Sequence, residues 1–248
     1  MSKPVSTFGF QPFVVLDALR KLMANKEDTT QVFRLLIALR GRSFDKNFAR
    51  FAAFPVGARV LANKEDLIVK LSDRAYLEGL AKGTLGREFI DFLDFCGITS
   101  DGLNEAAREG GATEERLSED QIRFARRTRV QHDLWHVIGG YGCDGFGEVC
   151  NLGFSYPHGR NIGMMVMAIA GANRYAKAFP GEPIWAAMWE GLRRGRKATW
   201  LPGVDWEALL ELPLADVRKM LGVHDMPTKY QAAPKVIRAS GPLAAVPV

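Results

Sequence analysis

The chain has 248 residues, of which 47% are hydrophobic and 25% charged, with a formal net charge of +5 and a pI near 9.2. This is enough apolar material for a sizeable core and excludes an intrinsically disordered or fibrous chain. The most apolar stretch, Gly163 to Ala172, is about half the length of a membrane span, and a moderate positive charge suits an anionic surface, an anionic small molecule or nucleic acid without choosing among them.

From Pro12 to about Arg40 the apolar residues Val15, Leu16, Leu19, Leu22 and Met23, then Val32, Leu35, Leu36 and Leu39, recur at three- and four-residue steps. Asp28-Thr29-Thr30 separates the two sets, which predicts a helical hairpin with an N-cap on its second helix. The first apolar run is cut short at Asp17, and the first thirty residues hold one arginine, Arg20, against three acids, so neither a secretory signal nor a transit peptide is expected. Apolar periodicity predicts further helices at 44–54, 64–82, 86–96, 118–139, 146–155, 161–178, 182–199, 205–212 and 214–221. Strand signals are scarce. The expected class is all-α: a single-domain helical bundle over 1–225 followed by a disordered tail over 226–248, where Pro227, Pro234, Pro242 and Pro247 stand among Ala, Ser and Gly. Cys96, Cys143 and Cys150 form an odd set without a C-x-x-C pair, which argues for a reducing compartment and no disulfide framework.

The helix predicted at 118–139 carries Arg123, Arg126, Arg127 and Arg129. These residues either cover a solvated face or, as planar forks, clamp an anionic group. One turn later comes His132-Asp133-Leu134-Trp135-His136, followed after eleven residues by Glu148. On a helix His132 and His136 share a face, and Asp133 sits about 100° round from His132. Glu148 would be about 18 Å away on an unbroken helix, so the chain must turn back. Gly139, Gly140, Gly142, Gly145 and Gly147 supply the freedom to do so. Two imidazoles and two carboxylates suit a divalent ion such as zinc, iron or manganese. A zinc peptidase is disfavoured, because Asp133 replaces the glutamate base and Gly142 stands where a third histidine would be. A phosphohydrolase of the H-D type needs an upstream histidine, and His132 is the first in the chain.

Met164, Met165 and Met167, beside Ala168, Ala170, Gly171 and Ala172, could make a packing face or, with thioethers that fill irregular space, a bed for an apolar tail. Arg193, Arg194, Arg196 and Lys197, flanked by Trp185, Trp189 and Trp200, suit a headgroup-level membrane contact. No nucleic-acid motif accompanies them, so no nucleic-acid partner is expected.

Together these motifs resemble the ubiquinone (coenzyme Q) biosynthesis family numbered four, whose hallmark is H-D-x-x-H followed by eleven residues and Glu. Gly83-Thr84-Leu85-Gly86-Arg87-Glu88-Phe89 with Phe92-Leu93-Asp94, the Arg127-x-Arg129 pair, and Gly195-Arg196-Lys197-Ala198 before a helix ending at Gly222-Val223 agree in order, from about residue 10 to 223. The resemblance implies an all-helical fold, and a divalent metal, usually zinc, at His132, Asp133, His136 and Glu148. The implied activity is removal of the ring carboxylate from a polyprenylated 4-hydroxybenzoate, with hydroxylation at the same carbon in some accounts; coupled hydroxylation would call for iron instead. Arg127 and Arg129 would then bind the substrate anion, and Met164 and Met167 its tail. The resemblance also implies organisation of other ubiquinone-biosynthesis enzymes on a membrane surface, and a homodimer is compatible with it. The location expected is the cytoplasmic face of the inner membrane, or the mitochondrial inner membrane in a eukaryote. The alternative is a non-catalytic, metal-containing scaffold that presents prenylated intermediates to partner enzymes. Ser155 and Tyr156 depart from the family, where relatives often carry another acid, as does the chain past residue 225.

Overall fold

A computed structural model of the chain describes residues 42–99 and 117–238, together with Asp17, Arg20, Lys21 and Leu39. The helices, in chain order, are α1 Ser43–Ala53, α2 Pro55–Ala62, α3 Leu67–Leu71, α4 Arg74–Gly79, α5 Leu85–Cys96, α6 Glu119–Gly139, α7 Gly145–Gly159, α8 Ile162–Ala178, α9 Ile184–Lys197, α10 Trp206–Leu209, α11 Leu214–Met220, α12 Thr228–Ala232 and α13 Lys235–Arg238. The described residues contain no β-strand, only an isolated bridge between Thr84 and Pro213. The class is all-α, as the periodicity predicts.

The chain divides into two compact units. The first falls within Phe48–Gly140 and Lys197–Met226 and carries α2 to α6, α10 and α11. Its core includes Phe51, Leu67, Leu71, Leu85, Phe89, Leu134 and Trp206, all nearly or fully buried. α5 lies against α6, and the Phe51 ring packs at a tilt on Phe124 of α6, 5.0 Å between centroids. Leu85 N–H donates to the Leu212 carbonyl and Leu214 N–H to that of Gly83, tying the start of α5 to the start of α11. Two ion pairs anchor α10 and its N-cap Asp205. Arg59 holds Asp205 with both terminal nitrogens at 2.5 and 2.9 Å, and Arg127 grips Glu207.

The second unit falls within Met1–Asn47, Tyr141–Arg196 and Pro227–Val248. Here α7 is buried along nearly its whole length, from Gly145 to Ser155. It packs on the small-residue face of α8 made by Gly163, Ala168, Gly171 and Ala172, where the absence of bulk permits close approach. α9 turns Ile184, Ala187, Met188, Gly191 and Leu192 inward.

Four differences from the sequence expectation have identifiable causes. Two short helices replace the one predicted at 64–82, because Asp66 and Asp73 each act as N-cap, accepting from Ile68 N and Tyr76 N; a capping carboxylate competes with the helix ladder and restarts it. α2 was not predicted, although Pro55 at its first turn after an extended Phe54 is a favourable start. Residues 227–238 of the expected tail are folded, with Tyr230, Ala233 and Ile237 buried. Cys150 is free and buried, whereas Cys96 and Cys143 are each disulfide-bonded, against the expectation of none. Most of the predicted N-terminal hairpin, and residues 239–248, lie outside the described residues.

Candidate metal centre

α6 opens on a capping box, with Ser118 accepting from Gln121 N and the Gln121 side chain accepting from Ser118 N, which satisfies two donors at its start. It closes at Gly140, whose left-handed backbone (φ 74°) lets its N–H reach the His136 carbonyl at 2.8 Å. Arg218 donates to the carbonyls of Val137 and Ile138 at 2.8 and 3.0 Å; a cation satisfying the last acceptors is favourable at a helix C-terminus. This well-fixed end carries both histidines. Their rings stand 4.9 Å apart between centroids. His136 is buried and stacks on Phe92 at 5.6 Å with 25° between ring planes, while His132 is half-buried with Nδ1 3.5 Å from Asp133 Oδ1.

The return is built by Asp144. Its Oδ1 accepts from the backbone N–H of Phe146 and Gly147 at 3.1 and 2.9 Å, starting α7 four residues before Glu148. Glu148 thus sits in the first turn, where the helix dipole favours a carboxylate. Burial pushes the Asp144 carboxyl above its ordinary value, and hydrogen bonds from Tyr230 and the backbone offset part of that rise. The glycine run serves close approach as much as turning. A Cβ on Gly147 would lie 2.1 Å from the Gly142 carbonyl oxygen, and one on Gly142 would lie 2.6 Å from both the Tyr230 hydroxyl and Asp144 Oδ2.

Within this continuous run of chain the ligand atoms of His132, His136 and Glu148 lie within 4.8 Å of one another. The set is two imidazoles and one carboxylate, chemistry that fits zinc, iron or manganese. Asp133, expected as a fourth ligand, is not in the cluster. One position on from His132, it is rotated about 100° round the helix and stands beside the His132 ring instead.

The other expected site residues fare differently. Arg127 is buried, with its guanidinium engaged by both Glu207 oxygens and by the Val204 carbonyl, so the fork is committed within its own unit. Arg123 donates to the Lys64 and Glu65 carbonyls. Arg129 is half-buried three residues before His132, and Met164 and Met167 are half-buried on α8. Trp185 and Trp189 are exposed, at 36% and 42%, and share a face of α9 with exposed Arg193 and Arg196. Trp200 is buried, with Arg50 4.1 Å above its ring.

The family model of coenzyme Q (ubiquinone) biosynthesis protein Coq4 matches residues 41–227. The chain belongs to the Coq4 family. Relatives include a mitochondrial ubiquinone biosynthesis protein COQ4 from Ajellomyces capsulatus, 26% identical over 74% of this chain and 63% of that protein. The mitochondrial COQ4 homologue of Mus musculus is 24% identical over 71% and 64%. The match therefore spans just under two thirds of these relatives. A Nostoc punctiforme chain assigned to ubiquinone biosynthesis has a crystal structure that aligns at TM-score 0.59, with 16% identity, over 87% of this chain and all of that one; it shows a shared fold. No helix of the described residues is long and apolar enough to cross a membrane.

The Coq4-family relatives are named as ubiquinone biosynthesis proteins. Two supports of the site were missed from the sequence, Arg218 and Tyr230. Neither had a local signal, since each reaches its partners from about eighty residues away in sequence.

Proposed function

We propose that this chain acts at the decarboxylation step of ubiquinone synthesis, removing the carboxylate from ring carbon 1 of a polyprenylated 4-hydroxybenzoate. The observation that carries this reading is the gathering of His132, His136 and Glu148 in a Coq4-family chain. A divalent ion held by these three would supply Lewis acidity as zinc, or redox chemistry as iron where hydroxylation is coupled. Three protein ligands rather than four favour a catalytic over a purely structural centre, because structural zinc sites are closed by four side chains. Asp133 beside His132 Nδ1 orients that ring and favours Nε2 as the ligating nitrogen. Arg129, on the same helix face one turn before His132, binds the anionic ring. Met164 and Met167 receive the apolar tail, where flexible thioethers accommodate a long chain. The indole and guanidinium face of α9 meets an anionic membrane surface, and the other enzymes of the pathway are the partners.

The test is metabolic. Cells lacking the protein should lose ubiquinone and accumulate prenylated hydroxybenzoates that still carry the ring carboxylate, and a Glu148→Ala copy should not restore synthesis. Full rescue by Glu148→Ala would favour the scaffold alternative, and normal ubiquinone in the deletion would remove the pathway step.

A further inference from the structure

We propose that the C-terminal segment acts through Tyr230 as a brace that positions the turn between the metal ligands; this rests on the metal reading above. Tyr230 is 5% exposed. Its hydroxyl accepts from Gly142 N–H at 2.9 Å and donates to Asp144 Oδ2 at 2.5 Å. The two oxygens of Asp144 therefore have separate duties. Oδ1 caps the first turn of α7, which carries Glu148, and Oδ2 is held by Tyr230. The phenol ring fills the inside of the turn, 5.5 Å from the Phe146 ring and edge-on to Tyr141 at 5.6 Å.

The brace is itself anchored. Both oxygens of Glu190 on α9 receive hydrogen bonds from the start of α12, from Thr228 Oγ1 at 2.7 Å and Lys229 N–H at 2.8 Å. One turn along α9, Arg194 donates to the Tyr141 hydroxyl at 2.7 Å. α9 thus holds both Tyr141, at the start of the turn, and α12, which carries Tyr230. The lack of room at Gly142 for even one methyl group makes this a fitted contact. Tyr230 lies three residues past the end of the Coq4-family match at residue 227, so the family match contains the ligands but not the support.

The physical consequence concerns the ion rather than the fold alone. A ligand on the first turn of a helix is as well placed as the cap that starts the helix, and groups one step outside the ligand shell typically govern about ten- to hundredfold in metal affinity. Tyr230 acts one step further out, so the expected loss is near the lower bound.

The experiment uses the full chain with zinc as the probe, titrated in competition with a chelating indicator, alongside thermal unfolding of the metal-free protein. Tyr230→Phe should bind zinc about tenfold more weakly. Asp144→Asn should do at least as much, and the double variant should lose little more than Asp144→Asn alone, because both act through one hydrogen bond. Arg59→Met, which breaks an ion pair in the other unit, should leave zinc affinity at the wild-type value. If Tyr230→Phe and Asp144→Asn lower the unfolding temperature but bind zinc as the wild type does, the segment is only a stabilising extension and the brace is overturned. A wild type that takes up no divalent ion overturns the metal reading and the brace with it. Should Tyr230→Phe fail to fold, Asp144→Asn alone decides between the first two outcomes.

Discussion

Arg127 donates through its two terminal nitrogens to the two carboxylate oxygens of Glu207, at 2.5 and 2.7 Å, and is 2% exposed. A fork this deeply buried depends on its one carboxylate partner, since removing it leaves a desolvated cation with no compensating charge. Glu207→Ala should destabilise the protein by about 3–5 kcal/mol, read by denaturant unfolding. Arg127→Met, which removes the charge along with its need for a partner, should cost clearly less. Equal losses in the two variants would show that the pair stabilises chiefly through its own attraction.

The three-ligand cluster leads to an ordering of metal losses that four equivalent ligands would not give. His136→Ala and Glu148→Ala should lose most of the bound ion by elemental analysis. Asp133→Asn should retain it at near wild-type stoichiometry with affinity weakened about tenfold, as for a group that orients a ligand. Loss of the ion in Asp133→Asn equal to that in His136→Ala would restore Asp133 to the ligand set.

The ion pair between Arg59 and Asp205 should be visible in acid. The Arg59 hydrogen bond is the main cause that holds the Asp205 carboxyl below its ordinary value. Its stabilisation is therefore complete above the unfolded aspartate pKa of about 3.9, and is lost as pH falls through the lower folded value. Asp205→Asn should be less stable than the wild type at pH 7 by no more than about 1 kcal/mol, as expected for a pair this exposed. The difference should shrink as pH falls below about 4 and with added salt. A difference independent of both would assign the effect to packing.

Trp185, Trp189, Arg193 and Arg196 share one exposed face of α9. Binding to vesicles containing anionic lipid should weaken with salt, and Arg193→Glu plus Arg196→Glu should lower it by at least about 2 kcal/mol, roughly 1 per cationic side chain removed. Trp189→Ala should lower binding without changing its salt dependence. Indifference of binding to all three changes would mean that another surface meets the membrane.

Short-range features were legible from the sequence. The spacing of Val130, Leu134, Val137 and Ile138 marks α6, and its inward positions are buried as the period requires. The i, i+4 spacing places His132 beside His136, and the glycine run marks the return toward Glu148. These depend on helix geometry and turn chemistry, which act over a few residues. The boundaries inside 64–82 were also written locally, in Asp66 and Asp73, but apolar periodicity runs through both caps and hides them.

What only the tertiary structure decided is how chemically similar side chains are partnered. Arg127 and Arg129 are alike in sequence, yet Glu207, eighty residues away, engages the Arg127 guanidinium with both carboxylate oxygens. Asp133 and Glu148 are both carboxylates, and it is Glu148 whose ligand atom gathers with those of both histidines, while Asp133 stands beside the His132 ring. The segment after Pro227 has a linker's composition, yet it is folded, with Tyr230 held against Gly142, Asp144 and Phe146. A hydrogen bond or ring contact across about ninety residues of chain has to offset the entropy of ordering and loop closure, and no local pattern records it.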